Sequence, residues 1–134
     1  MKNFKLNEKD ILSNQDWTFP TTTYYGPGRF NEIAKFCEEF DIKNPLIVTD
    51  SGSKDLPFIK KLIALLSKNN IKSDLFYNIS PNPRDDEISK GCDQFKNGSH
   101  DSIIAIGGGS AMDGGKSICS VSYTHLTLPT MMSV

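Results

Sequence analysis

Ser102-Ile-Ile-Ala-Ile-Gly-Gly-Gly-Ser-Ala-Met-Asp-Gly-Gly-Lys116 decides the fold of this chain. Ile103 to Ile106 is a short, largely β-branched run of the kind that forms a buried strand. Gly107, Gly108 and Gly109 follow without a break. Ser110 then opens a helix in the expected role of its cap, with Asp113 three residues on, near the helix's positive end. A strand, a glycine turn and a helix N-terminus together make an anion site. Glycines let backbone approach a phosphate, and the free N–H groups of the first helical turn point at it. The stretch therefore reads as a seat for the pyrophosphate of a nucleotide. The plainer reading is a tight strand-to-helix turn with an ordinary capping box, but three consecutive glycines cost conformational entropy that such a turn does not require.

Two familiar nucleotide motifs do not fit. A P-loop needs G-x-x-x-x-G-K-[ST]. Gly115-Lys116-Ser117 matches its end, but the first glycine falls on Ser110. A Rossmann fingerprint needs G-x-G-x-x-G early in the domain, with an acidic residue about twenty positions later. Here the last glycine is replaced by Met112, and the motif stands late in the chain. This is a phosphate turn of another pattern.

Working back from it, strands alternate with helices. Phe19 to Tyr25 is rich in strand formers, with Pro20 suggesting an edge position, and Gly26-Pro-Gly28 ends it. Arg29 to Asp41 has helical periodicity, with Phe30, Ile33, Ala34, Cys37 and Phe40 on one face. Pro45 to Thr49 reads as a buried strand ending at Asp50. Leu56 to Lys68 is a second helix with Phe58, Ile59, Leu62, Ile63 and Leu66 inward, and Lys72 to Tyr77 a third strand. Pro81-Asn82-Pro83 breaks the chain, since prolines fix φ and keep Asn82 out of the helical region. Asp85 to Lys96 is a third helix, stopped by Gly98, and His100 sits in the solvated turn that follows.

This alternation implies an α/β fold with right-handed crossovers and a parallel sheet covered on both faces. Ligands of such sheets bind outside the carboxyl ends of the strands. Asp50, Asn82 and Gly107 to Ser110 all fall on that rim. Asp50 either accepts hydrogen bonds from ribose hydroxyls or caps the next helix. Asn82 either lines the cleft or is only a turn residue between prolines.

Composition narrows the classes. The 134 residues suffice for one domain that buries roughly two-thirds of its unfolded surface. A net charge of -1 makes no electrostatic case for nucleic acid or membrane partners. Three widely spaced cysteines without a C-x-x-C pair suggest a reducing compartment, expected to be the cytoplasm. Residues 1 to 18 read as a polar leader without a signal peptide's apolar stretch, and no run is long enough to span a bilayer.

Val121 to Thr130 departs abruptly from the pattern. It can be written GTC TCT TAT ACA CAT CTG ACG CTG CCG ACG, one frame of a transposase-type sequencing-library adaptor. Such an adaptor continues with one base, a short index and GTG TAG, which yields three arbitrary residues, a valine and a stop, as in Met131-Met-Ser-Val134. Residues 121–134 are thus expected to be translated adaptor, and His125 carries no weight as a ligand. Residues 1–120 are then an incomplete amino-terminal domain of a longer product.

Phe19-Pro-Thr-Thr-Thr-Tyr-Tyr-Gly-Pro-Gly28, Leu46-Ile-Val-Thr-Asp50, Pro81-Asn-Pro83 and Gly107-Gly-Gly-Ser-Ala-Met-Asp-Gly-Gly-Lys116 resemble the iron-containing (group III) alcohol dehydrogenases. The resemblance spans about residues 17 to 120. It implies a Rossmann-like, NAD(P)-binding α/β domain followed by an all-helical domain, and interconversion of alcohols and aldehydes or ketones at Fe²⁺ or sometimes Zn²⁺. It would put Gly107, Gly108, Gly109 and Ser110 at the pyrophosphate, Asp50 at the adenosine ribose and Asn82 along the cleft. Asp113 would stand near the nicotinamide, with Lys116 supporting the turn. Arg84 departs from the family's usual Thr, and Gly114-Gly115 from a more Ala-rich helix. The family's metal ligands, one Asp and three His, and a Thr-rich cofactor loop are expected downstream, so residues 1–134 alone should hold no Fe²⁺ and should be inactive. NAD is expected over NADP, because Asp50 would meet a 2′-phosphate as a like charge. A homo-oligomer is expected of the intact enzyme. Two rival readings remain: a nucleotide- or sugar-phosphate-binding domain of another enzyme class, and a non-enzymatic binding module.

Overall fold

The computed structural model describes residues 23–122 and 130–132. A three-stranded parallel sheet in the order β3-β2-β4 is its centre. β2 is Pro45–Asp50, β3 is Asp74–Ile79 and β4 is Ser102–Ala105. A separate short strand, β1 (Thr23–Tyr25), pairs in parallel with β5 (Thr130–Met132). The helices are α1 (Ile33–Glu39), α2 (Pro57–Lys68), α3 (Asp85–Asn97) and α4 (Gly109–Ser122). The parallel α/β architecture is the one expected. The expected leader and the Pro20 edge position lie outside the described residues.

β2 is apolar from Pro45 to Val48 because both its faces are covered, as a central parallel strand requires. Leu46 and Val48 point to one side, where they join Phe76, Ile79, Phe95, Ile103 and Ile118 beneath α3 and α4. Ile47 points to the other, where it joins Cys37, Leu62 and Leu66 from α1 and α2. Each such fully buried aliphatic side chain contributes about 1.5–3 kcal/mol. Burial, with a smaller contribution from the Asp101 carboxylate, pushes the Cys37 thiol up to about 11. It therefore stays protonated and packs as a small hydrophobe.

Three local expectations need correction. The segment from Arg29 is not one helix: Gly28, at φ 74°, leads into a 3-10 turn at Arg29–Glu32, and only then does α1 begin. The change of pitch rotates the face. Phe36 is buried and packs its ring 4.4 Å from Tyr24, whereas Phe40 is 47% exposed. Ile63, expected inward on α2, is 37% exposed. β3 runs two residues later than its β-former content indicates, because pairing with β2 carries it to Asp50↔Ile79.

His100 is not solvated. It is 6% exposed, with Nδ1 3.0 Å from the Asn44 carbonyl and Nε2 3.9 Å from Asp74 Oδ2. Around it, Asp101 accepts from the backbone N–H groups of Lys43 and Asn44, and the Asn44 amide donates to the carbonyls of Gly98 and Ser99. This cluster fastens the amino ends of β2 and β4 together, at the opposite edge from the glycine turn.

Candidate nucleotide-binding site

The strand order brings the loops after β3, β2 and β4 side by side at the carboxyl rim, and backbone groups stitch them together. Ile106 N–H donates to Val48 O at 2.9 Å, and Ser51 N–H donates to Ile79 O at 3.0 Å. The register between β2 and β3 shifts between Val48 and Asp50. Irregularities of this kind re-aim a strand's last side chains.

Gly107 is the pivot of the turn. Its φ of 136° is a conformation that L side chains rarely adopt. A Cβ there would also lie 3.0 Å from Ala111 Cβ, 3.1 Å from Asp50 Oδ2 and 3.3 Å from Thr49 Oγ1. Gly108 and Gly109 differ: a Cβ on either would meet nothing within 4 Å. One side of the turn is thus packed on the sheet and the other is open. Gly108 O accepts from Met112 N–H at 3.1 Å, so Gly108 is the N-cap of α4. α4 begins at this open side, and the first amides of a helix, with its dipole behind them, are what an anion requires.

Ser110 is therefore not the cap. It lies within the first turn, and its hydroxyl donates to Pro81 O at 2.8 Å. That bond ties the glycine turn to the Pro81-Asn82-Pro83 loop after β3. The predicted Ser110–Asp113 capping box is absent for the same reason. Asp50 sits at the centre of the rim, where Oδ2 accepts from the Ser53 hydroxyl at 3.0 Å. Asn82 is exposed, and its carbonyl accepts from the Ser80 hydroxyl at 2.9 Å. Asp113 is exposed one turn into α4. Lys116 is exposed seven residues past Gly109, about 10 Å along the axis at the rise of an α-helix. The structure thus brings Asp50 and Gly107 together and ties Ser110 to the Asn82 loop.

The loop after β3 is held by Glu87. Its Oε2 accepts from Arg84 N–H at 3.0 Å, the Ser80 hydroxyl at 3.1 Å and Ser80 N–H at 3.4 Å. These donors, the Arg84 amide foremost, hold the Glu87 carboxyl below the usual glutamate range. Thr49 and Ser51 escaped the sequence reading. Thr49 closes an apolar strand run and reads there as an ordinary β-former. Ser51 acts mainly through its backbone amide, which leaves no mark on residue type.

Among the described residues no group of three or more His, Cys, Asp or Glu is placed to hold a metal ion, and no helix is long and apolar enough to cross a membrane. The described residues therefore do not fit a metal centre, while the glycine turn offers an open helix N-terminus.

The comparisons with known proteins agree with this geometry. The sequence model of the family "iron-containing alcohol dehydrogenase" matches residues 20–132. The chain is 30% identical over 112 residues to 1,3-propanediol dehydrogenase of Klebsiella pneumoniae, covering 82% of this chain and 29% of that protein. It is 32% identical over 109 residues to NADH-dependent butanol dehydrogenase A of Clostridium acetobutylicum, covering 81% and 28%. Among solved structures, a 1,3-propanediol oxidoreductase superposes with a TM-score of 0.75 at 29% identity, over 85% of this chain and 30% of that one. Sulfoacetaldehyde reductase from Bifidobacterium kashiwanohense, solved in complex with NAD+, gives 0.73 at 28% identity, over 86% and 30%. The chain spans about 30% of the length of these relatives, and the part it matches is the parallel α/β domain described above. With the family match over residues 20–132 and these relatives, the chain belongs to the iron-containing alcohol dehydrogenase family.

Proposed function

We propose that this chain is the dinucleotide-holding part of an NAD(H)-dependent alcohol dehydrogenase that interconverts small alcohols with aldehydes or ketones. The observation that carries this reading is the open side of Gly108 and Gly109 at the N-terminus of α4. The backbone amides of Gly108, Gly109 and Ser110 bind the pyrophosphate. Asp50 accepts hydrogen bonds from the adenosine ribose, Asn82 borders the cleft, and Asp113 lies toward the nicotinamide. Bound NAD supplies the hydride acceptor, and the chain supplies its alignment. No catalytic step is assigned to a metal, because the described residues offer it no ligand set. A thermal-shift titration tests the reading: NADH should stabilise the chain and ATP should not. Equal stabilisation by ATP would favour a nucleotide domain of another enzyme class, and none by either a non-enzymatic module. Purified residues 1–134 with Fe²⁺ are expected to show no dehydrogenase activity, and metal-dependent turnover would contradict that.

Asp50 further favours NAD over NADP. A 2′-phosphate on the ribose it binds would face its carboxylate, and like charges brought together cost several kcal/mol. NADH should bind at least tenfold more tightly than NADPH, and Asp50→Gly should narrow the gap. Equal affinities for wild type would remove Asp50 from the ribose. The three buried, unpaired cysteines support a reducing compartment such as the cytoplasm. Residues 121–134 are read as translated adaptor on their codon pattern alone. The family match runs on to residue 132 and Thr130–Met132 pairs with β1, so independent sequencing of the gene decides.

A further inference from the structure

Thr49 closes the apolar run of β2. It is fully buried, and its Oγ1 has no hydrogen-bond partner among the described residues. A buried hydroxyl in that state has given up its bonds to water for nothing, so a second state that supplies a partner is favoured by the bond gained. Its place indicates what that second state is. Thr49 Oγ1 and Asp50 Oδ2 are the polar atoms closest to Gly107 on the packed side of the turn, at 3.3 and 3.1 Å from a Cβ built there. Asp50 Oδ2 already accepts from Ser53 and cannot donate while ionised. Thr49 can donate.

A trans peptide directs its N–H and C=O to opposite sides. Turning the Gly108 amide N–H outward to an anion therefore turns the Gly107 carbonyl inward, to the packed side. A carboxylate alone would repel that carbonyl, whereas the Thr49 hydroxyl can donate to it. Gly107, free of a Cβ at φ 136°, allows the peptide to turn. We propose that Thr49 is a positioning residue of the anion site, its hydroxyl donating to the Gly107 carbonyl when nucleotide phosphate holds the Gly108 amide. The inference rests on the nucleotide-binding reading above.

The test is NADH binding, followed by fluorescence, together with the melting of the ligand-free chain, for wild type, Thr49→Val and Thr49→Ser. Thr49→Val keeps the shape and removes the hydroxyl, while Thr49→Ser keeps the hydroxyl. Thr49→Val should melt no lower than wild type without ligand, since it loses only an unpartnered group, yet should bind NADH about three- to tenfold more weakly, the equivalent of one net hydrogen bond. Thr49→Ser should bind like wild type. Unchanged affinity in Thr49→Val would overturn the proposal. So would a Thr49→Val chain that melts lower or fails to fold, because the hydroxyl would then be engaged without ligand. If wild type itself binds no NADH, the nucleotide reading falls and this inference with it. Binding by wild type with no effect of Thr49→Val removes this inference alone.

Discussion

Arg84 occupies the N-cap of α3 with a side chain that donates hydrogen bonds but cannot accept one, and no side-chain cap bond is made there. The other half of the capping box is made, by Glu87 on the Arg84 amide. The exposed contacts of the guanidinium, 3.4 Å to Asp86 and 4.0 Å to Glu87, are worth about 0–1 kcal/mol. Arg84→Thr would exchange them for a true cap, worth about 0.5–2 kcal/mol. Its denaturation midpoint should therefore rise, and a lower one would show the ion pairs to matter more than the cap. Glu87 adds a pH signature. Its native pKa is depressed, so its contribution is complete above the unfolded glutamate range and is lost as pH falls through the native value. Wild type should exceed Glu87→Gln in stability at neutral pH, and the gap should close in acid. A gap independent of pH would mean that the carboxylate's charge is immaterial. Glu87 stands four residues past Pro83, in the first turn of a helix whose start the sequence placed at Asp85. Ser110 misled because a serine before a helix is usually its cap, and only the tertiary fold brings Pro81 O within its reach. Thr49 and His100 were illegible for a related reason: burial of a polar side chain is set by what packs over it, and periodicity does not record that.

α4 is the element that holds the glycine turn against the sheet, and its own glycines govern how closely it approaches. A Cβ on Gly115 would stand 2.5 Å from Ala105 Cβ and 3.6 Å from Ala105 Cα, a rigid neighbour in β4. One on Gly114 would stand 2.9 Å from Ile79 Cδ1, the far end of a flexible side chain. By propensity alone the pair weakens the helix, since glycine costs about 1 kcal/mol against alanine in a helix interior. Both residues are buried, and the structure shows what they permit: α4 lies closer to β3 and β4 than a helix with side chains there could. Gly115→Ala should accordingly destabilise by about 1–3 kcal/mol of overpacking despite its better propensity, and Gly114→Ala should cost less. Urea midpoints check the order, and a Gly115→Ala chain more stable than wild type would mean that α4 can shift away freely. At this scale the alternation of strands and helices was readable, because β2 is apolar on both faces and α2 and α3 carry amphipathic stripes. Boundaries were less so. β3 slid toward its carboxyl end under the pairing with β2, and the 3-10 turn before α1 rotated Phe40 out to solvent. Both shifts are decided by partners distant in sequence.

At the scale of the whole chain, the described residues form a small central sheet with two open edges. Among the described residues no strand pairs with the outer edge of β3 or of β4, while β2 is paired on both edges. β4 is apolar along Ile103-Ile-Ala105, and unpaired edges of that kind template association with other chains. Tyr25, Phe40, Leu56, Ile63, Tyr77 and Val121 add exposed apolar surface. A few hundred Å² of such surface left in water forfeits several kcal/mol at about 25 cal/mol per Å². That is a large part of the about 5–15 kcal/mol that stabilises a typical domain. Nucleotide binding offsets only part of the loss, since a ligand at a hundred times its Kd adds about 2.7 kcal/mol. The 134-residue chain should therefore associate as its concentration rises and melt broadly. NADH should sharpen the melt without abolishing association, because the glycine turn and the outer edge of β4 are different surfaces. Light scattering across a concentration series, with calorimetry on the same samples, measures both. A concentration-independent monomer with one sharp, cooperative transition would mean that the open edges are protected and that the chain needs no further strand to fold.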